Sequence, residues 1–195
     1  LDVVTGTSGR AGLAAVREGA VDAAFWARSL PESRMPAGVR TVRVADEPVV
    51  LAIGPKHPLA GRESVSPAEL AGHRLWMPKL EPDTEWGWYY AELAQEFGMR
   101  IDPSGPAFGL EHQARIIVDS DDRGTFLGTR TPLVRPTGLG LHLIPVRRPT
   151  PVYPHWLLWR EDNPHPVLPK VRDYLTARHA AEGPAADDPW LPGWA

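Results

Sequence analysis

The run Val49-Val50-Leu51-Ala52-Ile53, closed by Gly54-Pro55, is the feature that most limits how this chain can fold. Five apolar residues without alternation fit a strand covered on both faces. Such a strand belongs in a sheet with helices packed against it. The opening of the chain reads the same way. Residues 1–5 are short, β-branched and ended by Gly6, which suits a strand. Thr7-Ser8-Gly9 offers an N-cap for a helix carrying Leu13 and Val16 and stopped at Gly19. Residues 21–26 read as a buried strand. A β-α-β unit with short connections predicts a parallel pair with a right-handed crossover.

The middle repeats the alternation. Residues 28–40 read as a loop, and residues 41–45 as a strand with Val42 and Val44 on one face. Pro67 opens a short helix over 66–70, and residues 74–77 suit a short strand. Asp83-Thr84 caps a helix whose stripe is Trp86, Tyr90, Leu93 and Phe97, with Gly98 as its stop. Leu110, Ala114 and Ile117 mark another helix. Residues 139–146 and 152–160 read as strands around the turn Arg148-Pro149-Thr150-Pro151. Asn163-Pro164 starts a last helix with Leu168, Val171 and Leu175. Residues from Gly183 onward read as a tail, loosely ordered unless its tryptophans dock. The 22 prolines are spread along the chain, so they punctuate short elements and form no low-complexity tract.

Two turn-rich breaks, Gly54-Pro55-Lys56-His57-Pro58 and Arg123-Gly124, predict a chain that leaves one lobe and returns to it. The expected class is α/β in two lobes, and ligands favour the cleft between such lobes. Composition excludes other classes. With no cysteine there is no disulfide framework, thiolate metal site or cysteine nucleophile. A net charge of -3 gives no footprint for a nucleic-acid backbone on this segment. No stretch approaches the roughly 20 apolar residues of a membrane span. The seven histidines lack ligand spacing. Asp119, Asp121 and Asp122 lack the rest of a calcium loop and read as a solvated helix end. Neither a dinucleotide fingerprint nor a G-x-S-x-G elbow occurs. No metal, cofactor or catalytic set is expected.

Three blocks in order resemble a known family. Gly19-Ala20-Val21-Asp22-Ala23-Ala24-Phe25 is similar to a signature in the effector-binding domain of LysR-type transcriptional regulators. Glu47 to Ala60, with His57-Pro58-Leu59-Ala60 at its end, resembles the stretch that follows in that family. Val65-Ser66-Pro67-Ala68-Glu69-Leu70-Ala71-Gly72 resembles the next. Leu157-Leu158-Trp159-Arg160-Glu161-Asp162-Asn163-Pro164 is similar to the last strand and final helix start. Residues 79–135 depart more from the pattern.

The resemblance implies a two-lobe type II periplasmic-binding-protein-like fold. On that template, lobe I is residues 1–53 and 129–180, lobe II is 54–128, and 181–195 are a C-terminal tail. Residues 49–53 and 125–128 would be the crossovers. The family has a strand and helix ahead of the segment matching Leu1, and ahead of those a winged helix-turn-helix and a linker helix. None of these is in the present sequence, so a longer, cytoplasmic regulator is expected, its DNA contacts made by that N-terminal domain. The expected partners are a small-molecule effector and further copies of the chain, in a dimer or tetramer. The alternative is a solute-binding protein of a transporter, which shares the fold. An enzyme on this fold would need converging acid/base groups, and none stands out.

The candidate effector-binding residues follow from the same template. Thr7 and Ser8 stand at a helix N-terminus, where a hydroxyl and free amides suit a carboxylate or only cap the helix. Trp26 ends a strand and either walls the pocket or packs, while Phe25 reads as core. Thr84 and Trp86 begin the helix of lobe II. Thr84 suits polar contact, and Trp86 lies on the apolar stripe. Phe108 precedes another helix, and Thr125 and Phe126 lie at the return crossover. Tryptophan-rich walls and helix N-termini favour an aromatic or anionic ligand.

Overall fold

In the computed structural model, which describes residues 2–4, 8–27, 35–105, 109–129 and 140–195, the apolar run at 49–53 is the second half of a much longer strand. Helix α1 (Gly9–Glu18) leads into strand β1 (Ala23–Trp26), then strand β2 (Val39–Ile53). A 3-10 helix (Ala68–Gly72), β3 (Arg74–Trp76), α2 (Glu85–Phe97), β4 (Arg100–Asp102), α3 (Leu110–Asp119) and β5 (Arg123–Gly128) follow. The chain closes with β6 (His142–Pro145), β7 (Thr150–Arg160), α4 (Leu168–Glu182) and β8 (Pro189–Trp190).

Strand β2 organises the fold because its two halves serve different neighbours. Residues 39–48 pair antiparallel with β7, to which β1 adds antiparallel on the far side. Residues 49–53 pair with β5, and residues 50–53 also with β6. Parallel strands β3 and β4 extend the sheet beyond β5. The result is two α/β lobes that share β2. Two hydrophobic clusters form the core, the larger spanning both sides of β2. The larger holds Leu51, Ile53, Leu75, Tyr89, Leu93 and Phe126, and the smaller Trp26, Val39 and Leu158 with Leu13 and Met35.

Several expectations change. Residues 41–45 and 49–53 are one strand, not two. Asp46, Glu47 and Pro48 stay in the ladder because Arg43 Nε holds Asp46 at 2.7 Å and His155 Nε2 lies 2.9 Å from Glu47. Residues 2–4 form no strand, and Val3 and Val4 are exposed. Strand β1 lies antiparallel to β7, so the expected parallel pair is absent among the described residues. Phe25 is not core. It is 60% exposed, and its neighbour Trp26 points inward, as the alternation of a strand requires. Helix α4 begins at Leu168, past Asn163, whose Oδ1 accepts the His165 N–H at 2.8 Å in a local turn.

The capped helices form as their sequences direct. Ser8 accepts the Ala11 N–H at 3.2 Å, and Thr84 accepts the Gly87 N–H at 3.1 Å. Gly98 ends α2 in the left-handed conformation, with φ 67°. The tail is docked: β8 runs parallel to the start of β7, and Trp190 is buried against Tyr89 and Phe97.

Candidate functional site

The N-terminal turns of α1 and α2 meet. Gly9, the first residue of α1, donates its N–H to Glu85 Oε1 at 2.8 Å, and Glu85 is the first residue of α2. Gly9 is required for this approach. A Cβ there would stand 2.0 Å from Trp26 Cδ1, 2.2 Å from Trp26 Nε1 and 2.7 Å from Glu85 Oε1. Trp26, at the end of β1, is 6% exposed, and its buried Nε1 has no hydrogen-bond partner among the described residues.

Beyond Glu85 lies a run of aromatic rings. Trp86 packs edge-on against Tyr90 and Tyr153, at 5.9 and 6.1 Å between centroids. Tyr90 stacks on Phe126 at 5.6 Å, and Tyr153 meets His155 at 5.3 Å. Glu47 is 3% exposed and packs so close to Gly128 that a Cβ there would lie 2.2 Å from its Oε1. Burial, with the negative charge of Glu47, pushes the Tyr90 hydroxyl above its ordinary range. Burial does the same to Tyr153, with Glu85 the next cause. Both phenols therefore stay protonated at neutral pH.

The sequence-derived residues fall into groups. Ser8 and Trp26 adjoin Gly9, and Thr84 and Trp86 flank Glu85. Both hydroxyls of Ser8 and Thr84 are engaged in capping, Thr84 also donating to Glu81 O at 2.7 Å. Trp86 is 46% exposed and is the stripe residue that reaches solvent. Phe126 is buried under Tyr90, and Thr125 is buried with its Oγ1 3.5 Å from Gln113 Nε2 of α3. Thr7 and Phe108 lie outside the described residues. Sequence reasoning missed Glu85, Tyr153, Glu47 and His155. For Glu85 a signal existed: a carboxylate directly after the N-cap Thr84 opens α2. Nothing local marks Tyr153 or His155, which reach the site only through the pairing of β7 with β2.

Among the described residues no group of His, Asp or Glu is placed to hold a metal ion, and no helix is long and apolar enough to cross a membrane.

Two α/β lobes sharing a strand, with helix N-termini facing across the junction, define a ligand-sensing module. A family model described as LysR substrate binding domain matches residues 1–111, and the chain belongs to that family. It is thus the effector-sensing regulatory domain of a transcriptional regulator, in a family that is regulatory and not enzymatic, and a transporter's binding protein is not favoured. Solved structures share the fold. OxyR in its oxidised form is 24% identical over 88% of this chain and 78% of its own, with a TM-score of 0.60. The BenM effector binding domain with its effector benzoate is 15% identical over 97% of this chain and 81% of its own, with a TM-score of 0.72. Full-length BenM is 15% identical over 92% of this chain at a TM-score of 0.72, and the chain spans 59% of its length. No curated protein matches the chain in sequence.

Proposed function

We propose that a small anionic or aromatic effector binds between lobe I, residues 1–53 and 129–180, and lobe II, residues 54–128. The contacts come from Thr7, Ser8, Trp26, Thr84, Trp86, Phe108, Thr125 and Phe126. The observation that carries this reading is the Gly9–Glu85 hydrogen bond, which brings the N-termini of α1 and α2 to one junction. Two helix N-termini facing one gap favour negative charge there. The half-exposed ring of Trp86, at the outer end of the aromatic run, supplies a flat apolar wall. The domain binds its effector and does not transform it.

Binding acts through differential affinity for two arrangements of the lobes. In the regulator the change passes to a homo-oligomer and to its DNA-binding segment, working in the cytoplasm beside the DNA. A thermal-shift and calorimetric panel tests the ligand class. Aromatic carboxylates such as benzoate are expected to raise the melting temperature in a concentration-dependent way, and neutral sugars to leave it unchanged. Stabilisation by sugars alone overturns the ligand class.

A further inference from the structure

The junction of α1 and α2 holds two N–H donors and one acceptor. The Gly9 N–H lies in the first turn of a ten-residue helix and is directed at Glu85 Oε1, 2.8 Å away. The second donor is the indole N–H of Trp26. It is buried and has no partner among the described residues, and a Cβ built on Gly9 would lie 2.2 Å from this nitrogen and 2.7 Å from Glu85 Oε1, so both line the same space beside Gly9. A buried indole N–H is nearly always hydrogen-bonded, so an unpaired one next to a helix N-terminus marks an acceptor site that is only partly filled. The acceptor now present comes from another element, 76 residues away in sequence. Its chemistry is that of a carboxylate.

We propose that the Gly9 N–H and the Trp26 indole N–H form the anchoring site for an effector carboxylate, and that Glu85 occupies this site in the ligand-free domain. A carboxylate ligand then binds by displacing Glu85, accepts from both donors, and releases α2 from α1. This rests on the reading that the effector enters at this junction. Glu85 is thereby a specificity-determining residue. It sets the ligand class by resembling it, and it lowers apparent affinity by the fraction of time it fills the site. Gly9 is part of the same device, because any side chain there would strike Trp26 and the carboxylate together.

The test uses sodium acetate as the probe, with sodium chloride at equal ionic strength as control. The readouts are the Trp26 indole and Gly9 amide resonances and the melting temperature. In Glu85→Ala, acetate is expected to shift both resonances saturably and to raise the melting temperature, with roughly tenfold tighter apparent binding than in the unsubstituted domain. Glu85→Gln serves if Glu85→Ala does not fold. It keeps an oxygen for Gly9 but not the charge, and an intermediate acetate response is expected. Adding Trp26→Phe to either variant, which keeps a ring and removes the donor, is expected to abolish most of the response. A folded variant whose resonances respond to acetate no more than to chloride, or no more than the unsubstituted domain does, overturns the proposal. Benzoate binding without any acetate effect in the variants would overturn this anchoring site while leaving the reading of an aromatic effector at the junction in place. An acetate effect without benzoate binding would support the displacement site while removing aromatic acids as the effector class.

Discussion

Trp190 donates its indole N–H to Glu96 Oε2 at 2.7 Å, which ties the last residues of the chain to the outer end of α2. Gly193 donates its N–H to Glu92 Oε1 at 2.5 Å, one helical turn earlier on the same face. The Trp190 ring fills the space beside Tyr89 and Phe97, at 5.5 and 6.2 Å between centroids. At the other side, Thr150 donates to Asp188 O at 2.7 Å, so the tail bridges β7 and α2. Trp190→Ala is expected to cost about 3 kcal/mol, as truncation of a buried aromatic residue does. Trp190→Phe is expected to cost about 1 kcal/mol for the lost hydrogen bond. Urea unfolding measures both. Equal stability of Trp190→Ala and the unsubstituted chain would mean that the tail does not hold α2.

The contrast between α2 and this tail shows what the sequence makes legible. Helix α2 is written locally. Its cap at Thr84, its stripe from Trp86 to Phe97 and its stop at Gly98 lie within one segment, so spacing alone predicts the helix. The docking of Trp190 depends on Glu96 and Tyr89, which no spacing near residue 190 specifies. The same holds for β2. Local pattern reads strands at residues 41–45 and 49–53 and not at Asp46-Glu47-Pro48, which the pairing with β7 and the Arg43 and His155 partners hold in the same strand. At the site, Ser8, Trp26, Thr84 and Trp86 are legible as helix and strand ends. Glu85 crossing to Gly9 is a tertiary contact that periodicity does not encode.

Glu47 and His155 form a pair at the joint where β2 passes from β7 to β5. The carboxylate is 3% exposed and the His155 Nε2 stands 2.9 Å away. Glu47→Ala removes the acceptor and leaves a void beside Gly128, with an expected loss of about 2 kcal/mol. Glu47→Gln keeps an oxygen toward His155 and is expected to lose about half as much. Gly128→Ala is expected to disrupt the same place from the other side, since its Cβ would meet Glu47 Oε1 at 2.2 Å. Thermal denaturation of the three variants checks the order. A Glu47→Ala domain as stable as Glu47→Gln would show that the pair contributes nothing.

Gly9 and Gly61 provide a matched comparison. A Cβ on Gly9 would lie 2.0 Å from Trp26 Cδ1, whereas a Cβ on Gly61 would meet nothing within 4 Å. Gly9→Ala must push Trp26 out of its packing with Leu158 and Val39, and is expected to cost about 2 kcal/mol, within the range for overpacking. Gly61→Ala is expected to stay within about 0.5 kcal/mol of the unsubstituted chain. Chemical denaturation, with tryptophan fluorescence as a second probe of the Trp26 environment, distinguishes them. Equal effects would contradict the close packing at Gly9.

His57 makes stability depend on pH. Its ring is 3% exposed, and Nδ1 accepts the Leu59 N–H at 3.2 Å, so the neutral tautomer carries its proton on Nε2. Burial pushes its pKa below the ordinary value of 6.5, the nearby His73 adds to this, and Asp122 and Asp121 oppose it. The unfolded chain therefore binds a proton that the native state refuses. Stability contributed by the neutral ring is fully present above about pH 6.5 and falls as the pH drops below that value. Asp102, held down to about 2 first by Ser104 and then by Arg74, acts in a lower window and loses its contribution only between about 3.8 and 2. The two windows can be read separately. His57→Asn retains an acceptor for the Leu59 N–H and cannot titrate, so it is expected to lessen the loss of stability that sets in below about pH 6.5 while leaving the decline below about 4. Denaturant midpoints measured across pH 3 to 8 for both proteins decide it. Parallel profiles would mean that His57 is protonated in the native state or is not the group responsible.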